Sequence, residues 1–291
     1  MTGLKKLYFS STGNAKERDA IQADLNRAES EAKRLKSEMA KKDETNKSMH
    51  EWMFENNPSD KDGTTLLHWA AEKGHLDVCK SIIEEVEDKN PKDKKGWTPL
   101  HEAAREDHKE IFKLIFHSVQ EKNPKAEDGF TPFHTAIAFG NQEIFEMIFD
   151  QLVDKNPASN NGRTALHYAA QNGNAEILQK FCRNAAVKNK NPKSRNDGWT
   201  PLHFSAQNGN FVAHKMIMDM SKDKNPKDRD GFTPLHTAAE NGHVEICRLI
   251  MDVIEDIFPK SKDKTTPFHL AAREGHNEVK NLIPTYAASN C

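Results

Sequence analysis

The sequence predicts an all-α repeat solenoid, an array of helix pairs with short β-hairpin loops, preceded by an N-terminal amphipathic helix. Three observations predict it. First, Gly96-Trp97-Thr98-Pro99-Leu100-His101 recurs as Gly129-Phe130-Thr131-Pro132-Phe133-His134, Gly198-Trp199-Thr200-Pro201-Leu202-His203 and Gly231-Phe232-Thr233-Pro234-Leu235-His236, with looser copies ending at His68, His167 and His269. Second, the motif histidines at 68, 101, 134, 167, 203, 236 and 269 are spaced by 33, 33, 33, 36, 33 and 33 residues. A fixed period of this size marks stacked units, each burying its apolar face on the next. Third, the 291 residues are 36% apolar and 30% charged. That is polar for a compact globule and suits an elongated array with much surface per residue.

Composition narrows the function classes. Lys plus Arg is 42 and Asp plus Glu is 44. This balance lacks the basic excess that supplies affinity for nucleic acid. No stretch approaches the roughly 18 apolar residues that span a bilayer, so membrane insertion is not expected. The N-terminus has no sustained apolar region of the secretory kind. Cys79, Cys182, Cys247 and Cys291 show no spacing of a disulfide frame or a zinc site. Together these features predict a reduced, cytoplasmic or nuclear protein.

Taken in order, residues 1–14 read as a flexible N-terminus and 15–43 as an amphipathic helix. Ile21, Leu25, Ala28, Ala32, Leu35 and Met39 alternate by 4 and 3, one helical stripe. A weak dimer through a short coiled coil there is one reading, and a helix lying on the array or in solvent is the other. Residues 46–60 align with the end of a repeat: Asn57-Pro58 precedes Asn90-Pro91 by 33. This half-repeat is expected to cover the open end of the stack. Seven repeats fill 61–288.

Within a repeat, Asp93 to Trp97 forms a turn, with Gly96 supplying a conformation that other residues resist. Thr98 is the helix N-cap and Pro99 the first helical residue. Leu100, Ala103 and Ala104 face inward. Ile111, Phe112, Leu114 and Ile115 form the apolar side of a second helix, which Asn123-Pro124 is expected to end. Glycines six residues after each motif histidine read as left-handed caps, with Asp107 replacing glycine in the second repeat. The fourth repeat carries three extra residues, so a longer hairpin is expected there. In the last repeat Lys280 stands in a core column and Pro284 is expected to cut the second helix short, closing the array.

Thr233-Pro234-Leu235-His236-Thr237-Ala238-Ala239-Glu240-Asn241-Gly242-His243-Val244-Glu245-Ile246 resembles the ankyrin repeat, and the resemblance runs from about residue 57 to 286. It implies helix pairs with projecting hairpins and a concave face that binds proteins. The sequence departs from the family pattern ahead of each hairpin, reading Asp88-Lys89-Asn90-Pro91 and its equivalents. The second helix is therefore expected to run longer before the turn.

Candidate chemistry is sparse. Eleven of the 14 histidines fall in two repeat columns, as expected of structural hydrogen bonding. Hydrolase and nucleotide-binding motifs are missing, so no catalytic residue, metal or cofactor is expected. The family resemblance assigns the concave face to the residue after the turn glycine and to two residues near the end of the first helix. This gives Trp97, Phe130, Arg163, Trp199 and Phe232 from the hairpins, and Phe139, Gln171, Asn172, Gln207 and Asn208 from the helix ends. Aromatic rings there would be anchors, or would pack only on neighbouring hairpins. Trp69, Tyr168 and Phe204, one residue after the motif histidine, are expected to pack between repeats. The predicted function is a non-catalytic scaffold or adaptor for a partner protein. Alternatives are a regulatory subunit or assembly chaperone of a larger complex, and the ankyrin part of a larger enzyme or channel.

Overall fold

Each motif threonine starts a helix, and a second helix folds back against it. The computed structural model describes residues 57–289. The expected tail at 1–14, the helix at 15–43 with its dimer seam, and most of the half-repeat at 46–60 lie outside the described residues. Among the described residues there are seven helix pairs. They are α1 (Leu66–Lys73) with α2 (Leu76–Glu85), α3 (Pro99–Arg105) with α4 (Lys109–Ser118), and α5 (Pro132–Phe139) with α6 (Gln142–Phe149). Next come α7 (Ala165–Asn172) with α8 (Ala175–Arg183), α9 (Pro201–Gln207) with α10 (Phe211–Met220), α11 (Pro234–Glu240) with α12 (Val244–Met251), and α13 (Pro267–Arg273) with α14 (Asn277–Ser289). First helices pack on first helices of the next pair and second on second, the nearest-neighbour pattern of a solenoid.

The helix starts follow from side-chain chemistry. Thr98 accepts from the backbone of His101, and the His101 ring reaches back to the Thr98 N–H at 3.1 Å. The same reciprocal cap recurs at Thr65, Thr164, Thr200, Thr233 and Thr266. Such caps contribute on the order of 1 kcal/mol each. The paired alanines, Ala103 and Ala104 among them, are fully buried and let adjacent first helices approach. Leu67, Leu100, Phe133, Leu166, Leu202 and Leu235 fill the space between layers. In α4 the buried side is Ile111, Phe112, Ile115 and Phe116, with Leu114 only half-buried.

The segment ahead of each hairpin does not extend the second helix. The helices stop at Glu85, Ser118, Phe149 and Met220, short of the Asn-Pro pairs, and Val86, Val119 and Ser221 are already extended. The reason is that Asp-Lys-Asn-Pro is a double cap. The aspartate accepts from the asparagine N–H, as Asp88 does from Asn90 at 3.0 Å. The lysine donates to the carbonyl at the end of the second helix: Lys122 to Phe116, Lys155 to Phe149, Lys190 to Phe181 and Lys224 to Met218. The asparagine Oδ1 accepts from the third residue of the next Thr-Pro-Leu start, as Asn90 does from Leu100 at 3.0 Å and Asn123 from Phe133 at 3.0 Å. One short connector thus satisfies orphan groups at the end of one helix and the beginning of the next.

The hairpins are tight turns rather than extended strands; the isolated bridges among the described residues are Ser59–Thr65 and Ala158–Thr164. Gly129 has φ +79°, and a Cβ there would sit 2.8 Å from the Asn160 nitrogen of the next hairpin. Asp107 adopts φ 60°, the conformation its glycine counterparts take. The extra residues of the fourth repeat form a connector with Val187 buried and a hairpin closed by Ser194 N–H to Trp199 O, one residue longer than the Asp93 to Trp97 closure.

The last repeat corrects one expectation. Pro284 does not end the second helix; α14 continues through it to Ser289. Val279, Leu282 and Ile283 are buried ahead of the missing N–H, and beyond it the Tyr286 hydroxyl donates to Asp252 at 2.9 Å. Pro284 itself is exposed, where loss of one backbone hydrogen bond is tolerated.

Candidate functional site

The hairpins and the ends of the first helices form one continuous face. Backbone hydrogen bonds run from each hairpin to the one before it: Lys94 to Asp62, Glu127 to Lys95, Asn160 to Asp128, Arg195 to Asn161, Arg229 to Asp197 and Lys262 to Asp230, at 2.8–3.0 Å. The hairpins are therefore fixed to one another along the row.

The motif histidines tie this row to the helices. Each ring accepts at Nδ1 from its own threonine, so the proton sits on Nε2. Nε2 then donates to the next repeat: His68 to Trp97 O at 3.1 Å, His167 to Trp199 O at 3.1 Å and His236 to Thr265 O at 3.1 Å. His134 reaches Pro157 O at 3.0 Å instead. Burial holds His68 and His236 below the usual histidine range, His101 and His203 down to about 3 and His134 and His167 down to about 4. The second histidine column also joins repeats: His108 Nε2 lies 3.1 Å from Glu72 O, His243 3.0 Å from Gln207 O and His276 2.9 Å from Glu240 O.

The predicted aromatic residues form a half-buried row. Trp97 lies over His101 at 5.0 Å and nearly parallel to Phe130 at 6.5 Å. Phe130 stacks on His134 at 5.2 Å and meets the edge of Tyr168 at 5.1 Å. Trp199 stacks on His203 at 5.6 Å, and Phe232 meets His236 at 5.3 Å. Each ring thus shields its own motif histidine and keeps another part of its surface toward solvent.

Arg163 interrupts the aromatic column. Its guanidinium lies 4.5 Å from the centre of the Phe204 ring and 3.2 Å from Asp197, so it joins the Trp199–Phe204 cluster. Phe139 ends α5 and is half-buried. Asn172 donates to Ala138 O at 3.2 Å and Asn208 to Gln171 O at 2.8 Å; these amides bridge adjacent repeats. Gln171 and Gln207 beside them are exposed.

One ion-pair cluster joins the first two repeats. Arg105 contacts Glu102 at 2.8 Å, Glu106 at 2.9 Å and Glu72 at 3.3 Å. Three carboxylates share one guanidinium. Burial, only partly offset by Arg105, pushes Glu102 up to about 7.

Sequence reasoning missed one part of this face. Phe130, Tyr168, Asp128, Asn160, Asn161 and Asn196 line a groove of about 320 Å³ between hairpins. Tyr168 does pack between repeats, as expected, but it also forms a wall of the groove. The signal was present: the fourth repeat has Arg163 in place of a ring and asparagines at its hairpin tip.

Among the described residues no group of three or more His, Cys, Asp or Glu side chains is arranged to hold a metal ion, and no helix is long and apolar enough to cross a membrane. Comparison with curated proteins gave no match. The family model described as ankyrin repeats matches in three overlapping stretches, residues 37–126, 117–192 and 181–263. With the helix pairs and their threonine–histidine caps, this establishes that the chain belongs to the ankyrin-repeat family.

Proposed function

We propose that the protein is a non-catalytic scaffold or adaptor that holds a partner protein on the face built from the hairpins and first-helix ends. Ankyrin repeats generally mediate protein–protein interaction. The observation that carries the finer reading is the row of half-buried rings from Trp97 through Phe130 and Trp199 to Phe232, with an amide-lined groove beside Phe130. Rings held rigidly with part of their surface wet are good interface anchors, because little side-chain entropy is lost on binding. The exposed amides Gln171 and Gln207 supply adaptable hydrogen bonding in the same stretch. The proposed setting is cytoplasmic or nuclear.

Truncating the rings would also uncover the motif histidines, so the better test keeps them. Gln171→Arg with Gln207→Arg places two cations on exposed helix positions without touching the core. Intact and substituted full-length proteins are used to capture partners from cell lysate, with circular dichroism on both. Loss of a captured partner at unchanged fold supports the reading. An identical captured set from both proteins overturns it.

A further inference from the structure

A wider groove than the one beside Phe130 lies elsewhere. It is about 1050 Å³ and is lined by α12, α14 and the connector after α12. None of the residues of the hairpin face takes part.

This connector breaks the rule that the others keep. Where Lys89-Asn90, Lys122-Asn123, Lys155-Asn156, Lys190-Asn191 and Lys224-Asn225 precede proline, this one reads Ile257-Phe258-Pro259. The aspartate is retained: Asp256 accepts from the Phe258 N–H at 3.0 Å. Ile257 has no ammonium to donate to the carbonyl end of α12. Phe258 has no amide oxygen for the start of α13. Two caps used elsewhere are given up at one connector, and the replacements are apolar. Phe258 is 38% exposed and Val253 51% exposed. Folding alone gives no reason for this exchange, since capped connectors lie one repeat away.

The groove has a two-part character. Met251, Ile254, Ile257, Phe258 and Leu282 supply an apolar floor, while Asp252, Glu255, Asp256 and Glu278 stand along it with Arg248 as the lone base. An apolar floor with a carboxylate rim is complementary to apolar residues interleaved with Lys or Arg. We infer that this groove docks a basic amphipathic segment of a partner protein. The chain's own residues 15–43 suit it less well, with eight Lys and Arg against seven Asp and Glu.

The test uses the full-length chain and a fluorescein-labelled amphipathic helical peptide of leucine and lysine, with a leucine–glutamate peptide of the same pattern as control. The decisive variant is Ile257→Lys with Phe258→Asn, which restores the connector found elsewhere. The expected result is saturable binding of the leucine–lysine peptide, weakened about tenfold or more by the double variant, a loss of roughly 1.4 kcal/mol or greater, and weakened again by salt. The variant should melt no lower than the parent. Should it fail to fold, Glu255→Gln with Glu278→Gln reads the rim alone and should weaken binding in the same direction. Equal binding to parent and variants, or equal binding of the leucine–glutamate peptide, overturns the inference. So does a self-dimer through this groove without peptide binding. Gln171→Arg with Gln207→Arg should leave peptide binding unchanged, which separates this site from the hairpin face.

Discussion

The imidazole of His203 donates its Nε2–H to the carbonyl of Phe232, 29 residues ahead, at 3.2 Å. The same ring accepts from Thr200 N–H at 3.1 Å, so one neutral side chain caps its own helix and fastens the next hairpin. A protonated ring could not accept from Thr200. Burial reinforces the preference, and the folded value falls to about 3.

Acid should therefore dismantle the array. The folded rings have values below the ordinary 6.5, so the unfolded chain takes up protons first as pH falls. The stability tied to neutral rings is complete above about pH 6.5 and is lost progressively below it, toward the folded values of about 3 to 4. At pH 5 each such ring costs about 2 kcal/mol, and four of them are large against a typical total of about 5–15 kcal/mol. Urea midpoints followed by circular dichroism should drop steeply between pH 7 and 5. A midpoint unchanged over that interval would refute the histidine ladder as the source of acid sensitivity.

The connector makes a second, local prediction. Asn123 accepts from Phe133 N–H at 3.0 Å, and Lys122 donates to Phe116 O while lying 5.0 Å from the Phe116 ring. Asn123→Ala should destabilise by about 1 kcal/mol, the usual value of a helix cap. Lys122→Met keeps the stem and removes the charge, and should cost about 0.5–1.5 kcal/mol, the net value of one hydrogen bond. Both are measured by urea unfolding at pH 7.5. No change in either variant would mean that solvent serves these helix ends equally well.

The same connector shows where sequence reading stopped. The repeat period, the Thr-Pro starts, the left-handed positions and the structural role of the histidine columns were legible, because each rests on local chemistry repeated in register. The lysine before Asn-Pro was equally visible, but its acceptor is a helix-end carbonyl several residues back, so the segment looked like more helix. Pro284 misled in the opposite way. A proline's local cost was visible, whereas the burial of Leu282 and Ile283 that offsets it depends on tertiary packing. At the candidate site the ring column was legible. The groove beside Phe130 was not, because it needs Tyr168 and asparagines from two successive hairpins to be brought together.

Glu102 supplies a pH effect of opposite sign. Its carboxyl is raised to about 7, so the stability linked to it is full below about pH 4.5 and is lost as pH rises through 7. Arg105 is already claimed by Glu72 and Glu106 at 3.3 and 2.9 Å. Glu102→Gln should raise the melting temperature at pH 8, by the equivalent of about 1–2 kcal/mol, and change little at pH 5. A loss of stability at pH 8 would show that the Glu102–Arg105 ion pair outweighs the burial of the carboxylate.

His214 is the exception among the buried histidines. It stands in the core column that Cys79, Phe112, Phe145, Leu178 and Cys247 occupy in other repeats. Its Nδ1 lies 2.8 Å from Ser205 Oγ, while its Nε2 is buried with no hydrogen-bond partner. Ser205 Oγ also lies 3.1 Å from Leu202 O as a donor, so Nδ1 carries the proton and Nε2 faces the core as an unused acceptor. Burial lowers the ring to about 4, which adds one more acid liability without the inter-repeat bond that the motif histidines gain in exchange. His214→Leu fills a similar volume with an apolar side chain, as Leu178 does one repeat earlier, and leaves Ser205 its bond to Leu202. The substitution should stabilise the fold at pH 7 by about 1 kcal/mol and widen its advantage at pH 5, where the parent loses a further ~2 kcal/mol at this residue. Urea midpoints of parent and variant at the two pH values test it. A variant less stable than the parent at pH 5 would mean that the Ser205–His214 contact is worth more than the orphaned nitrogen and the proton it invites.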